Sequence, residues 1–132
     1  MKKVMVNGCF DILHVGHTRL LEFARRQGDY LVVAVDNDAS VRRQKGAGRP
    51  ANSCDERMEI IRALRCVDQV VKFQQFSVVH LLEQLKPDVV VKGGDYEHTN
   101  FPERSYILRK GIKLIFFPRT EHSTTRTIGK LL

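Results

Sequence analysis

Cysteine is scarce in this chain: three residues among 132, Cys9, Cys54 and Cys66, an odd number with no close pair. That excludes a disulfide framework, offers no zinc knuckle, and fits a reducing compartment. Long apolar runs are absent as well. The opening MKKVMVNG has an apolar run too short for a signal peptide or a membrane span. A cytoplasmic protein with no membrane segment is therefore expected. Repeats, low-complexity tracts and linkers are also missing, so residues 1–132 are expected to form one domain. Aromatic residues make up 8% of the chain and do not interleave with basic ones, as a stacking surface for nucleic acid requires. Acidic residues are outnumbered, 15 against 22 Lys and Arg, for a net charge of +7. That balance favours anionic partners, either nucleotides, phosphorylated small molecules or nucleic acid.

What is present is an alternation of two patterns. KVMV (Lys3 to Val6) and YLVVAV (Tyr30 to Val35) are short, β-branched and nearly continuous, like strands buried on both faces. VDQVVKF, DVVVK and IKLIFF repeat the type from Val67, Asp88 and Ile112. Helical spacing fills the gaps. His17, Leu20, Leu21 and Ala24 follow one face, with Gly28 as a stop. Ser53 and Glu56 form a capping box ahead of Met58, Ile61 and Leu64. Val78, Leu81, Leu82 and Leu85 make a third stripe closed by Pro87. Pro102 and Gly111 bracket a fourth helix, and Ser123 can cap a last one. Repeated β-α units with short crossovers predict a single Rossmann-like, doubly wound α/β domain with a five-stranded parallel sheet. Ligands then bind beyond the carboxyl ends of the strands.

The loops expected at that edge are the chemically rich ones. The first is GCFDILHVGH, Gly8 to His17. His14 and His17, three residues apart, can be packed core residues, and a zinc site would need at least one further ligand. No HExxH motif supplies one. A glycine beside the pair, at a strand-to-helix turn, favours an anion instead. Gly8 and Gly16 let a phosphate approach the backbone, and the imidazoles can donate to phosphoryl oxygens, most usefully in a transition state. Cys9 abuts this loop and reads as a small buried residue rather than a nucleophile.

HVGH matches the HxGH motif of the nucleotidyltransferase superfamily, and GCFDILHVGH resembles its cytidylyltransferase-like branch. The resemblance implies that His14 and His17 hold the nucleotide phosphates and stabilise the pentacoordinate α-phosphorus, with Gly8, Cys9, Phe10 and Gly16 lining the nucleotide site. It implies that the acceptor's own phosphate is the nucleophile, with no covalent enzyme intermediate. It also allows a homodimer.

Three further loops share the expected edge. KGAGRP places Lys45 between a basic run and two glycines, where a cationic loop can close over a triphosphate. Lys45 is the best candidate there and matches the family's cationic residue. Arg42, Arg43 and Arg49 are weaker, and Arg57 can reach inward from the next helix. VKGGDY can be a simple turn, or can let a base or ribose lie against Gly93 with Asp95 accepting from a ribose hydroxyl. This segment, with KGAGRP and ERMEIIRAL, resembles bacterial heptose 1-phosphate adenylyltransferase domains, which tips it towards nucleotide binding. PRTEHSTT offers Arg119, Ser123, Thr124 and Thr125 at a helix start, more than a cap needs. It resembles the RTxGxSTT signature of glycerol-3-phosphate cytidylyltransferases but is one residue shorter and lacks the glycine, which leaves the roles of Glu121 and His122 open. Asp11 can orient the histidine loop, contact substrate or simply form a turn. Asp36 and Asp38 read as acceptor contacts or as polar residues opening a loop.

The sequence thus predicts an enzyme that moves a nucleotidyl group from an NTP, ATP in the first place, to a sugar phosphate of the heptose 1-phosphate type. Pyrophosphate is released. The alternative pairing is CTP with glycerol 3-phosphate or another polyol phosphate. Mg²⁺ is expected on the nucleotide phosphates, with no protein metal ligands. A nucleotide sensor or nucleic-acid module is the competing class. Absence of pyrophosphate release with every NTP, or steeply salt-dependent nucleic-acid binding, would mark it.

Overall fold

The computed structural model of the protein describes residues 1–118. Its five apolar runs form β1 (Lys3–Gly8), β2 (Tyr30–Asp36), β3 (Gln69–Phe73), β4 (Val89–Gly93) and β5 (Lys113–Phe117). They make one sheet in the order β3-β2-β1-β4-β5, every neighbouring pair parallel. The sheet buries both faces, which is why its strands are apolar almost throughout. Val4 and Val6 of β1 face one cluster with Leu21 and Ala24, whereas Met5 between them faces the other with Leu82 and Ile107. That alternation is the two-residue period of a strand.

The helices are α1 (Val15–Arg25), α2 (Asp38–Lys45), α3 (Cys54–Arg62), α4 (Val78–Leu85) and α5 (Arg104–Arg109). α1 and α3 supply Leu21, Ala24 and Ile61 to the first cluster; α4 and α5 supply Val78, Leu81, Leu82 and Ile107 to the second. After β1 the chain runs outward through β2 and β3, then returns to lay β4 on the other side of β1. The β1/β4 boundary is therefore the switch point, where the first turns of neighbouring units diverge and leave a crevice.

Two expectations need correction. The segment after β2, read as an open loop, is mostly α2. Asn37 caps it, its Oδ1 accepting from the Ser40 N–H at 2.8 Å, and Gly46 at φ 95° ends it. Only Ser40 and Val41 of α2 are buried, so no apolar stripe announces it. The fourth predicted helix starts at Arg104 rather than Pro102 and lasts 6 residues before Gly111 turns the chain at φ 71°. Among the described residues no helix is long and apolar enough to cross a membrane.

Candidate active site

The carboxyl end of β1 leads directly into an unusual turn. Phe10 adopts φ 52°, a left-handed conformation that costs an ordinary residue energy and must be held by its surroundings. Its ring is buried and sits edge-on to His17, centroids 5.3 Å apart. Gly8 makes room: a Cβ there would stand 3.0 Å from the Phe10 ring. The sequence Gly-Cys-Phe thus wedges an aromatic ring behind a histidine.

His14 is the N-cap of α1. Its Nδ1 accepts from the Gly16 N–H at 3.1 Å, and the Nδ1 of His17 accepts from the His14 N–H at 3.4 Å. The rings stack with centroids 3.8 Å apart and planes 22° apart. Because each Nδ1 is an acceptor, each neutral ring carries its proton on Nε2. Burial, with the charges of His14 and Lys45 adding to it, pushes the His17 pKa down from 6.5 to about 4. His17 is therefore a neutral donor at pH 7. The Gly16 N–H is turned to His14.

These groups open on a cleft of about 930 Å³ at the carboxyl ends of the strands. Gly8, Cys9, Phe10, His14, Gly16 and His17 line it from β1 and α1; Asp36, Lys45 and Arg49 line it from the β2 side; Gly93 and Asp95 line it from β4. Gly93 lets Asp95 fold back onto the strand end, since a Cβ at Gly93 would meet the Asp95 carboxylate at 2.7 Å. Burial pushes the Cys9 thiol up, against the pull of Arg57 and Lys45, so a thiolate is disfavoured. Arg119, Ser123, Thr124 and Thr125, with Glu121 and His122, lie outside the described residues.

Asp11, Asp38 and Arg57 are not on the cleft wall, and the reason is physical. Asp11 is buried, and its carboxylate is taken by the Arg49 Nε (3.0 Å), the Ala51 N–H (2.8 Å) and the Asn52 N–H (2.9 Å). Burial raises its pKa, but those backbone and side-chain hydrogen bonds outweigh it and hold the group below the usual carboxylate range. The fully buried Arg57 donates to the carbonyls of Cys9 and Asn52 and to Asp38 Oδ1, the last at 2.8 Å. These three side chains brace the histidine loop against the start of α3, which for Asp11 is the orienting role named as one alternative from sequence.

Asp36 differs. It is the buried last residue of β2, and Ser40 and Gln44 donate to its Oδ2. Burial raises its pKa against those bonds and the Arg57 charge. Its Oδ1, the Asn7 Oδ1 and the Glu103 Oε2 are buried with no hydrogen-bond partner among the described residues, whereas Glu103 Oε1 is paired with Lys92. Asn7, Asp36 and Glu103 all line the cleft. Open acceptors of this kind suit a ligand with hydroxyl or amino donors. Sequence reasoning had no signal for Asn7 or Glu103, whose neighbours on the wall come from distant segments. Among the described residues no group of three or more His, Cys, Asp or Glu side chains is placed to hold a metal ion.

The cytidylyltransferase-like family model matches residues 5–129. The bifunctional protein HldE of Streptomyces coelicolor is 50% identical over 115 residues, 87% of this chain and 25% of that protein. The HldE of Coxiella burnetii is 45% identical over 130 residues, 98% of this chain and 27% of that protein. The chain thus spans about a quarter of the length of the curated relatives it matches. A solved lipopolysaccharide core biosynthesis protein from Thermoplasma volcanium superposes with a TM-score of 0.75 at 29% identity, covering 93% of this chain and 99% of the other. A pantoate-beta-alanine ligase from Francisella tularensis shares the fold, at a TM-score of 0.71 and 16% identity over 97% of this chain and 65% of its own. With the paired histidines at the end of β1 and a match over nearly its whole length, the chain belongs to the cytidylyltransferase-like family of nucleotidyltransferases.

Proposed function

We propose that this protein transfers an adenylyl group from ATP to a sugar phosphate of the heptose 1-phosphate type, releasing pyrophosphate in the cytoplasm. The observation that carries the reading is the stacked His14–His17 pair at the carboxyl end of β1, its Nδ1 atoms tied to backbone so that each neutral ring carries its proton on Nε2. The HldE likeness and the lipopolysaccharide core biosynthesis protein support a sugar-phosphate acceptor.

In the reaction, an oxygen of the acceptor phosphate attacks the α-phosphorus of the nucleotide. The new P–O bond forms as the bond to the β-phosphate oxygen breaks, and pyrophosphate leaves with that electron pair. His14 and His17 donate to oxygens on the phosphorus, where negative charge builds in the transition state. Because they are fixed before substrate arrives, no reorganisation is needed at that moment. Lys45 offsets the triphosphate charge from the β2 side. Mg²⁺ arriving with the nucleotide would neutralise charge and orient the leaving phosphates. Asp36 Oδ1 and Asn7 Oδ1 accept from hydroxyls of the sugar, consistent with their lack of other partners.

A pyrophosphate-release screen of four NTPs against a panel of sugar and polyol phosphates tests this. Release with ATP and a heptose 1-phosphate, and not with either alone, is expected. Release with CTP and glycerol 3-phosphate would replace the substrates but keep the chemistry. No release with any pair would overturn the function.

A further inference from the structure

The carboxyl end of β4 holds a charge pair that nucleotidyl transfer as described above does not use. Lys92, 5% exposed, reaches the fully buried Glu103 at 2.5 Å, just ahead of α5. The Lys92 ammonium also lies 4.7 Å from the centroid of the Phe101 ring and 5.0 Å from that of Tyr96. All four residues line the cleft. Taking two charges out of water is costly, and an apolar pair of similar volume stabilises a fold at least as well. Packing alone therefore does not account for the pair. Glu103 Oε2 is buried with no hydrogen-bond partner among the described residues. A buried acceptor left open on a ligand cleft calls for a donor.

Position in the fold says which part of the ligand supplies it. The phosphate-binding groups stand at β1 and α2, on one side of the switch point. The pair stands across it, on a wall of aromatic rings, where the Lys92 ammonium is already paired with Glu103. A carboxylate there repels phosphate and suits a flat, uncharged group bearing N–H donors. We propose that Glu103 selects the base: its Oε2 accepts a hydrogen bond from the exocyclic amino group of adenine or cytosine. Lys92 is the positioning residue that holds the carboxylate in place through the ion pair. A base with an oxo group at that position turns lone pairs towards the carboxylate and is rejected. This inference rests on the nucleotide-binding reading above.

The test is calorimetric binding without acceptor, using ATP, ITP, CTP, UTP, 2′-deoxyATP and 3′-deoxyATP. Wild-type protein is compared with Glu103→Gln and with the double variant Lys92→Met, Glu103→Leu, which replaces the pair by apolar groups of like volume. In the wild type, an amino nucleotide should bind at least about tenfold tighter than its oxo counterpart. Glu103→Gln should bring that ratio towards unity or invert it, because an amide can donate to an oxo group. The double variant should fold and lose the preference. A wild type with no amino preference, or variants that weaken every nucleotide equally, overturns the proposal while leaving nucleotidyl transfer standing. A change confined to the deoxynucleotide ratios would assign the oxygen to the ribose and overturn it too. A wild type that binds none of these nucleotides would overturn the nucleotidyl-transfer reading itself.

Discussion

The two walls of the cleft are built on different principles. On the β1 side the paired imidazoles are anchored to backbone within three residues, His14 and His17 through the first turn of α1. On the β4 side the polar groups come from segments 11 residues apart and meet each other, Lys92 on Glu103 beneath aromatic rings. The first wall is set by local chain geometry and suits a constant ligand part, the phosphates. The second depends on packing and suits the variable part, where specificity lies. Damage to the first should strike turnover and loop integrity, and damage to the second should strike selectivity.

The sharpest separation is expected from His17→Ala, which removes an Nε2–H donor preorganised for the transition state. Turnover should fall by at least ~10²-fold with the fold intact, checked by steady-state kinetics beside a circular dichroism spectrum. Near-normal turnover would break the contrast between the walls. Next comes Asp11→Asn, which puts an amide among the N–H donors of Arg49, Ala51 and Asn52. A loss of about 3 kcal/mol is expected in a urea titration. An unchanged midpoint would mean that Asp11 is not a brace. Lys45→Ala should act mainly on binding, raising the KM for nucleotide about tenfold with a smaller change in kcat. Equal kinetics in the variant would remove Lys45 from the phosphate side.

The smallest effect is a pH dependence. The His17 pKa lies near 4 in the folded chain, below its ordinary 6.5. Above pH 6.5 the ring is neutral folded or unfolded and costs nothing. As pH falls from 6.5 towards 4, the unfolded chain takes up a proton that the folded chain refuses, so stability declines across that window. Proton NMR of the ring should show His17 titrating near 4, and Tm should fall between those limits. Titration near 6.5 would put the imidazole in a wetter setting than the fold provides.

The same division explains what could be read from sequence. The five strands and the helices α1, α3 and α4 carry apolar patterns that only burial in a parallel sheet satisfies. The His14–His17 turn is a local motif, readable as a strand-to-helix junction before any packing is known. α2 escaped because its residues are polar and its stability comes from the Asn37 cap and the α2–β2 contacts of Asp36. In a string of letters Asp11 reads equally as a ligand, a loop-orienting acid or a turn residue, and Arg57 as a cation reaching inward. Their role as braces appears only when Asn52 and Cys9, distant in sequence, stand beside them. Glu103 is legible only as an acid ahead of a short helix, since nothing local announces its burial against Lys92.

The most direct test of the central claim follows the α-phosphorus itself. A heptose 1-phosphate labelled with ¹⁸O in its phosphate should be incubated with ATP and the protein, and the products read by ³¹P NMR. The account predicts a sugar nucleotide whose α-phosphorus is bonded to a label oxygen from the acceptor, with unlabelled pyrophosphate released. Label appearing in pyrophosphate or inorganic phosphate, or none next to the α-phosphorus, would contradict it.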